Sequence, residues 1–224
     1  MGGADRIELN SALEAGGLTP TLGCLIEAKE RVSIPIIAMI RPRTGGFCYT
    51  DAEFEVMKRD AALMLEHGAD GIAIGILNED RTVDRKRISQ IISICKGREV
   101  VFHRAIDITP NLLDSIEELI ELGVTRILTS GGRQRCLEGI ETINAMQKQS
   151  NGRVQILACG SIRPTNLEEI LSKTCCTHFH MALMKECCDL TMCGASIKFN
   201  GAPSEDRHKM IDRDQVEAAS KIVH

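Results

Sequence analysis

One junction recurs along this chain, and it constrains the fold more than any other feature of the sequence. Residues 3–9, 68–74 and 123–128 share a layout in which a glycine and two or three linking residues lead into a short apolar run. The glycine suits the left-handed residue that ends a helix, and the apolar run suits a buried strand. The junctions are 65 and 55 residues apart, which is two strand–helix units each time.

Amphipathic helix patterns precede the second and third junctions. Thr50 and Glu53 form a capping-box pattern ahead of an apolar face, and residues 112–120 repeat such a face before Gly123. Four further strands are predicted, at residues 36–40, 100–103, 154–158 and 178–181. The remaining helices are predicted near residues 22–31, 84–95 and 137–149, and at 167–171 after a capping box of Thr165 and Glu168.

This alternation of strand and helix predicts an α/β fold. Parallel strands joined by helical crossovers, at roughly 30 residues per unit, are typical of the TIM-type (β/α)8 barrel. A doubly wound open sheet is the alternative, but no Gly-x-Gly-x-x-Gly follows the first strand. We therefore predict a single barrel domain over residues 1–224.

The strand count is one short of a complete barrel. Seven strands are predicted, and Gly2 and Gly3 form the kind of glycine pair that ends a helix, although no helix pattern precedes them. We expect the first strand–helix unit to be missing, which leaves the strands at 6–9 and 178–181 with free edges. Such a chain is expected either to be an incomplete version of a longer protein or to depend on association.

Composition and charge exclude several classes of function. The net charge of −4 and the absence of tryptophan argue against a nucleic-acid-binding surface. The longest apolar run, residues 34–40, is too short to span a membrane, and no leader pattern is found. We expect a soluble intracellular protein, whose ten cysteines are reduced.

Polar residues follow the predicted strands at the end where barrels place their sites. They predict a pocket for a small anionic ligand, with His103 or Glu8 exchanging protons. Loops at Gly131-Gly132 and Gly160-Ser161 offer backbone N–H groups, as phosphate sites do. The structural alternative is that Arg6 pairs with Glu8 inside the barrel and that His103 is an interior histidine. The predicted pocket residues are Glu8, Arg41, Arg43, His103, Arg104, Asp107 and His180.

Cysteine and histidine crowd into one late stretch of the chain. Cys175 and Cys176 precede His178 and His180, and Cys187 and Cys188 follow. These soft and borderline ligands suit Cu(I) or Zn, and alternation along a strand puts His178 and His180 on one face. The alternative is a set of ordinary thiols in a reducing compartment, since adjacent cysteines chelate one ion awkwardly.

The strand ends, taken in order, resemble the CutC family, whose members are called copper homeostasis proteins. The resemblance runs from the first residues to about His180 and beyond, and it implies a (β/α)8 barrel. It also implies a cytoplasmic location, with a nuclear pool in eukaryotic members, and self-association into homo-oligomers. The family has no established catalytic activity. The segments that carry the resemblance are residues 3–9, 16–20, 40–43, 47–49, 102–105 with Asp107, and 128–131.

The resemblance links the protein to copper, with two departures from the family pattern. Family members begin with a strand of the Glu-Val-Cys type, which this chain lacks, and they often have cysteine where this chain has Asn10. Neither of those thiols is available here. Cys48, as the nearest remaining thiol to the expected mouth, is then the candidate copper ligand, together with His178 and His180.

Two functions from different classes follow. The first is a copper homeostasis protein that binds copper at the barrel mouth. The second is a barrel enzyme that uses Glu8, His103 and the arginines on a small phosphorylated or carboxylated metabolite. In both cases the partner is a copper ion or a small ligand, and neither a nucleic acid nor a membrane is expected.

Overall fold

A seven-stranded parallel sheet forms the centre of the protein in the computed structural model, which describes residues 2–197 and 206–224. The strands follow one another in chain order, and each pairs with the next. The sheet curls as part of a TIM-type barrel with one unit fewer than eight, which confirms the predicted fold class. The strands are β1 (Ile7–Leu9), β2 (Ile36–Met39), β3 (Gly71–Ile74), β4 (Glu99–Phe102), β5 (Arg126–Thr129), β6 (Gln155–Ala158) and β7 (His178–Phe179).

Helices connect the parallel strands and pack on their outer face. They are α1 (Leu22–Arg31), α2 (Asp51–Glu66), α3 (Arg85–Cys95), α4 (Leu112–Leu122), α5 (Ile140–Ser150) and α6 (Pro164–Lys173). The capping box of Thr50 and Glu53 is present at the start of α2. Gly123 ends α4 with φ +89°, the left-handed conformation predicted for the recurring junction.

Strand alternation divides the apolar residues into two clusters. The larger cluster lies between the sheet and the helices, where Ile36 and Ile72 are fully buried. The smaller one fills the interior of the curled sheet, and its upper members lead to the carboxyl ends of the strands. It consists of Ile37, Met39, Ala73, Val101, Leu128, Leu157 and Cys159.

A charged layer lies at the opposite, amino-terminal end of the strands. Arg6 donates a hydrogen bond to Glu99 over 2.8 Å, and Arg126 lies 3.5 Å from the same carboxylate. The expected alternative of an Arg6–Glu8 pair is therefore wrong. Period-two alternation places Arg6 and Glu8 on one side of the strand, but they lie at different levels along the barrel axis. Glu99 of β4 is closer to Arg6 than Glu8 is.

The sheet has an open seam between β1 and β7, the two strands at its edges. A hairpin of β8 (Met184–Cys188) and β9 (Arg207–Ile211) follows, and then helix α7 (Arg213–Val223). Helix α7 packs beside the seam, where the Ser220 hydroxyl donates to the Gly3 carbonyl over 3.0 Å. Neither the hairpin nor α7 was predicted from the sequence.

Helix α6 begins earlier than its predicted capping box implies. Pro164 is its first residue, and Arg163 is the cap, with its backbone N–H donating to Asn166 over 2.8 Å. The box at Thr165 and Glu168 is therefore wrong. The fixed φ of proline favours the first helical position, and this outweighs the Thr/Glu spacing.

Candidate functional site

A cavity of about 280 Å³ opens at the carboxyl ends of the strands, and we call it the mouth cavity. Five predicted residues from four different strand ends line it: Glu8, Arg41, His103, Arg104 and His180. The loop after β6, residues 159–163, forms one wall, and Met39 and Leu128 line it from the barrel interior. The strand-end logic of the barrel thus brings together side chains that are far apart in sequence.

Arg43 and Asp107 do not line the mouth cavity, although both were predicted to. Arg43 forms an ion pair with Glu53, the capping residue of α2, and donates to the Cys48 carbonyl over 2.9 Å. Its guanidinium also lies over the Tyr49 ring, 5.0 Å from the centroid. Arg43 therefore holds the turn before α2 and does not face the ligand space.

The Asp107 carboxylate occupies the N–H groups of the Gly131-Gly132 loop. It accepts from the backbone N–H groups of Ser130 and Gly132, each over 3.1 Å. The hydroxyls of Thr129 and Ser130 donate to it over 2.5 and 2.9 Å, and Arg104 forms an ion pair at 2.8 Å. The expectation that this loop binds a ligand phosphate is therefore wrong, because an internal carboxylate already fills it.

His103 lines the cavity as a neutral imidazole. Burial, followed by the nearby Arg41 cation, lowers the pKa of His103 to about 3. Its Nδ1 accepts from the Ala105 backbone N–H over 3.1 Å, which leaves the proton on Nε2. That Nε2 is buried and has no hydrogen-bond partner within the described residues. The ring is thus a hydrogen-bond donor at neutral pH, and the predicted role of His103 in proton exchange does not suit so low a pKa.

Arg41 is a buried cation without a carboxylate partner in the described part of the chain. Its side chain donates to the carbonyls of Ala15, Gly17 and Gly45 over 3.2, 3.1 and 2.8 Å. Its Nε is buried and unpartnered. The residue is 7% exposed, and the Phe47 ring lies 5.3 Å from the guanidinium carbon. The carbonyl dipoles position the guanidinium, but they leave its charge unneutralised.

The loop after β6 presents free backbone donors to the same cavity. Gly160 has φ +101° and Ser161 has φ +56°, so two successive residues have left-handed or related backbone. The N–H groups of Gly160, Ser161 and Ile162 donate no hydrogen bond to any described residue. Successive free N–H groups in such a turn form a concave site for an anion.

The predicted copper ligands are not gathered at one place. Cys48 is exposed and lines neither the mouth cavity nor the seam. His178 lies lower on β7, where its Nδ1 is 3.3 Å from Arg126, and only His180 reaches the mouth. In the ranges 2–197 and 206–224, no three His, Cys, Asp or Glu side chains form a metal-binding group.

Cys159 is the thiol that lines the mouth cavity, and the expectation that Cys48 is the nearest thiol is wrong. It is 2% exposed, and burial, followed by Asp107, raises the pKa of the thiol well above its usual value. The position of Cys159 at the mouth could have been predicted from the sequence. Cys159 follows directly on β6 and shares a face with the inward Leu157 by strand alternation.

A second cavity of about 410 Å³ follows the open seam. It lies between β1 and β7 beside α7, and Ile7, Phe179 and Val216 contribute apolar walls. Glu8, Asn10 and His180 line both cavities, so the seam opens into the mouth. Within the described residues, no helix is long and apolar enough to cross a membrane.

The comparisons with known proteins agree with the sequence resemblance. The model of the CutC family matches residues 1–185. A family protein CutC of Treponema denticola is 42% identical over 217 residues, which are 96% of this chain and 88% of that protein. The human copper homeostasis protein cutC homolog is 44% identical over 179 residues, which are 80% of this chain and 66% of that protein.

Solved structures support the same assignment. A crystal structure of a CutC protein from Streptococcus agalactiae superposes with a TM-score of 0.76 at 33% identity. The match covers 79% of this chain and 87% of that one. The phosphoribosylanthranilate isomerase of Pyrococcus furiosus superposes with a TM-score of 0.54 at 14% identity, which shows a shared fold alone.

Proposed function

Because the chain belongs to the CutC family, we propose that it is a copper homeostasis protein that binds Cu(I) at the mouth cavity. The observation that carries the proposal is the set of soft donors on one cavity. The Cys159 thiol, the His180 imidazole and the thioethers of Met39 and Met181 all line it. Thiolate and thioether ligands select Cu(I) over the harder divalent ions. The names of the human and mouse relatives, copper homeostasis protein cutC homologs, support the same metal.

A site of this composition suits a cation of low coordination number. Cu(I) is stable with few ligands, so it does not require the cluster of three His, Cys, Asp or Glu side chains that the described residues lack. In this proposal Cys159 and His180 are the principal ligands, and a methionine completes the set. Copper is the cargo of the protein here, and no catalytic step is assigned to it.

Copper binding to Cys159 requires the thiol to lose its proton. The raised pKa of Cys159 means that the metal must displace a tightly held proton. Binding should therefore strengthen as the pH rises from 6 to 8. A site made of thioether and carbonyl ligands alone, which has no thiol proton to displace, would not show this dependence.

Anaerobic titration with Cu(I) against a chromogenic chelator tests the proposal. The wild-type protein should take up one copper ion, and Cys159→Ser and His180→Ala should each weaken binding at least tenfold. Cys24→Ser, which removes an exposed thiol on α1, is the matched control and should bind as wild type does. Copper uptake that survives Cys159→Ser but is lost in Cys48→Ser would overturn the mouth site and place copper on the exposed loop.

The family resemblance also supports self-association and a cytoplasmic location. Light scattering on the purified protein tests the first, with a mass above that of one 24.6 kDa chain as the expected result. Imaging of a tagged full chain in cells tests the second.

A further inference from the structure

The mouth cavity contains more positive charge than its own carboxylates neutralise. Among the charged residues that line it, Arg104 is paired with Asp107, and Glu8 lies 3.9 Å from His180. Arg41 and Arg163 form no ion pair with any described carboxylate. This local excess of cations contrasts with the net charge of the whole chain, which is −4. A buried cation without a counter-charge is costly, so the arrangement favours an anion that comes from outside the chain.

Two buried donors of the same cavity have no acceptor. Nε of Arg41 and Nε2 of His103 are both buried and unpartnered within the described residues. The two residues are 7% and 5% exposed. Buried polar groups in folded proteins are nearly always hydrogen-bonded. These two atoms are therefore evidence of an absent acceptor that is independent of the loop after β6.

The loop after β6 adds three further donors and the start of a helix. The free N–H groups of Gly160, Ser161 and Ile162 precede α6, whose ten residues direct the positive end of its dipole towards this side. Ser161 keeps φ +56° although it is not a glycine, which is a strained conformation. The equivalent donors after β5 are filled by Asp107, whereas those after β6 are free.

From this we propose that the mouth cavity binds a small monophosphorylated metabolite that carries hydroxyl groups. The phosphate would lie between the free N–H groups of residues 160–162 and the Arg41 and Arg163 guanidiniums, with His103 as a neutral donor. The Glu8 carboxylate, at the β1 side of the cavity, would accept from a ligand hydroxyl. A volume of about 280 Å³ is close to the lower end of the range for small-molecule sites, roughly 300 Å³.

This inference goes beyond copper and does not depend on it. It requires neither the Cys159 thiol nor a bound metal. The two proposals can therefore fail separately. A Cys159→Ser variant that loses Cu(I) should retain its phosphate site.

Isothermal titration of copper-free protein with inorganic phosphate and with glycerol 3-phosphate tests the site. Both probes should bind, with the sugar-like ester at least fivefold tighter because it also reaches Glu8. Arg41→Gln should weaken both at least tenfold. Because Arg41 also holds three loop carbonyls, Arg163→Gln is the second variant, and it should weaken both at least threefold in a protein that folds normally.

Two further variants assign the parts of the site. Glu8→Gln should remove the preference for glycerol 3-phosphate and leave binding of inorganic phosphate at least as tight as in the wild type. Arg43→Gln is the matched control, since Arg43 faces Glu53 outside the cavity, and it should bind both probes as wild type does. Absence of binding at millimolar phosphate by the folded wild-type protein would overturn the proposal. Equal affinity in the wild type and in the folded Arg163→Gln variant would overturn it as well.

Discussion

Oε1 of Glu8 lies 3.9 Å from Nε2 of His180, so a carboxylate and an imidazole face each other across the open seam. Glu8 belongs to β1 and His180 directly follows β7, and these strands are the two edges of the parallel sheet. Among the described residues, no backbone hydrogen bond pairs these two strands. At this part of the mouth, two facing side chains stand at the place where the other strands have a hydrogen-bonded ladder.

Asp107→Asn should lower the free energy of unfolding by about 3 kcal/mol, because the buried carboxylate accepts from several backbone and hydroxyl donors and neutralises Arg104. Urea denaturation measures the change. Asp51→Asn, at a side chain that is 99% exposed, is the matched control and should have little effect. A loss of stability that is the same in both variants would contradict the structural role of Asp107.

Stability should depend on pH through His103. Its folded pKa of about 3 lies below the ordinary value of 6.5, so the unfolded chain binds a proton in this range while the native protein does not. The contribution of the neutral His103 to the free energy of unfolding is fully present above pH 6.5. It falls by about 1.4 kcal/mol per pH unit as the pH drops from 6.5 towards 3. His103→Asn retains an acceptor for the Ala105 N–H but lacks this titration.

Urea denaturation of the wild type and His103→Asn at several pH values measures this effect. The difference in stability between the two proteins should be constant above pH 7.5 and should shift against the wild type below 6.5. Two curves that stay parallel down to pH 4.5 would show that His103 is protonated in the native protein.

Glu99→Gln should destabilise the protein by about 2 kcal/mol, because it leaves the guanidiniums of Arg6 and Arg126 beside each other without a counter-charge. The Glu99 side chain is 20% exposed, and water screens part of the effect. Glu121→Gln removes one of the two carboxylates that pair with Arg85 on the surface and should cost less than about 1 kcal/mol. Thermal melting of the two variants side by side separates the outcomes.

The thiols of Cys188 and Cys193 should form a disulfide under mild oxidation, because their sulfur atoms are 3.2 Å apart and both residues are exposed. An azodicarbonyl oxidant such as diamide accepts the two electrons and two protons that the thiols release. The titratable thiols of the denatured protein should then fall by two, with the mass of one chain retained. Cys193→Ser should prevent this change and Cys24→Ser should not. Crosslinks between chains instead would contradict the geometry.

Much of the fold could be predicted because its signals are local. Glycines such as Gly123 mark the ends of helices, and the Thr50–Glu53 box marks the start of α2. Short apolar runs identified the parallel strands within a few residues. The β8–β9 hairpin was missed because its exposed strands carry polar residues and cysteines on both faces, which leaves no apolar alternation to detect.

The candidate site was predictable only as far as strand ends identify it. Glu8, Arg41, His103, Arg104 and His180 lie at strand ends, and the barrel geometry brings them together. The partners of Arg6 and Asp107 were not predictable, because Glu99 and Ser130 are 93 and 23 residues away in the sequence and no local pattern connects them. The same holds for Arg43, whose partner Glu53 belongs to a helix cap.

The Asp107 carboxylate, which is bound by the loop after β5, competes with any free anion for the N–H groups of that loop. It is covalently part of the protein. A tethered group acts at an effective concentration in the millimolar range or above, and it is not diluted when the protein is. A free metabolite at ordinary cellular concentration therefore does not displace it from Ser130 and Gly132. Among the described residues, the barrel thus keeps its free backbone donors in the loop after β6, while the equivalent donors after β5 are occupied. Metabolites with phosphates at both ends should therefore bind less well than monophosphates. This selectivity depends on a single residue, Asp107.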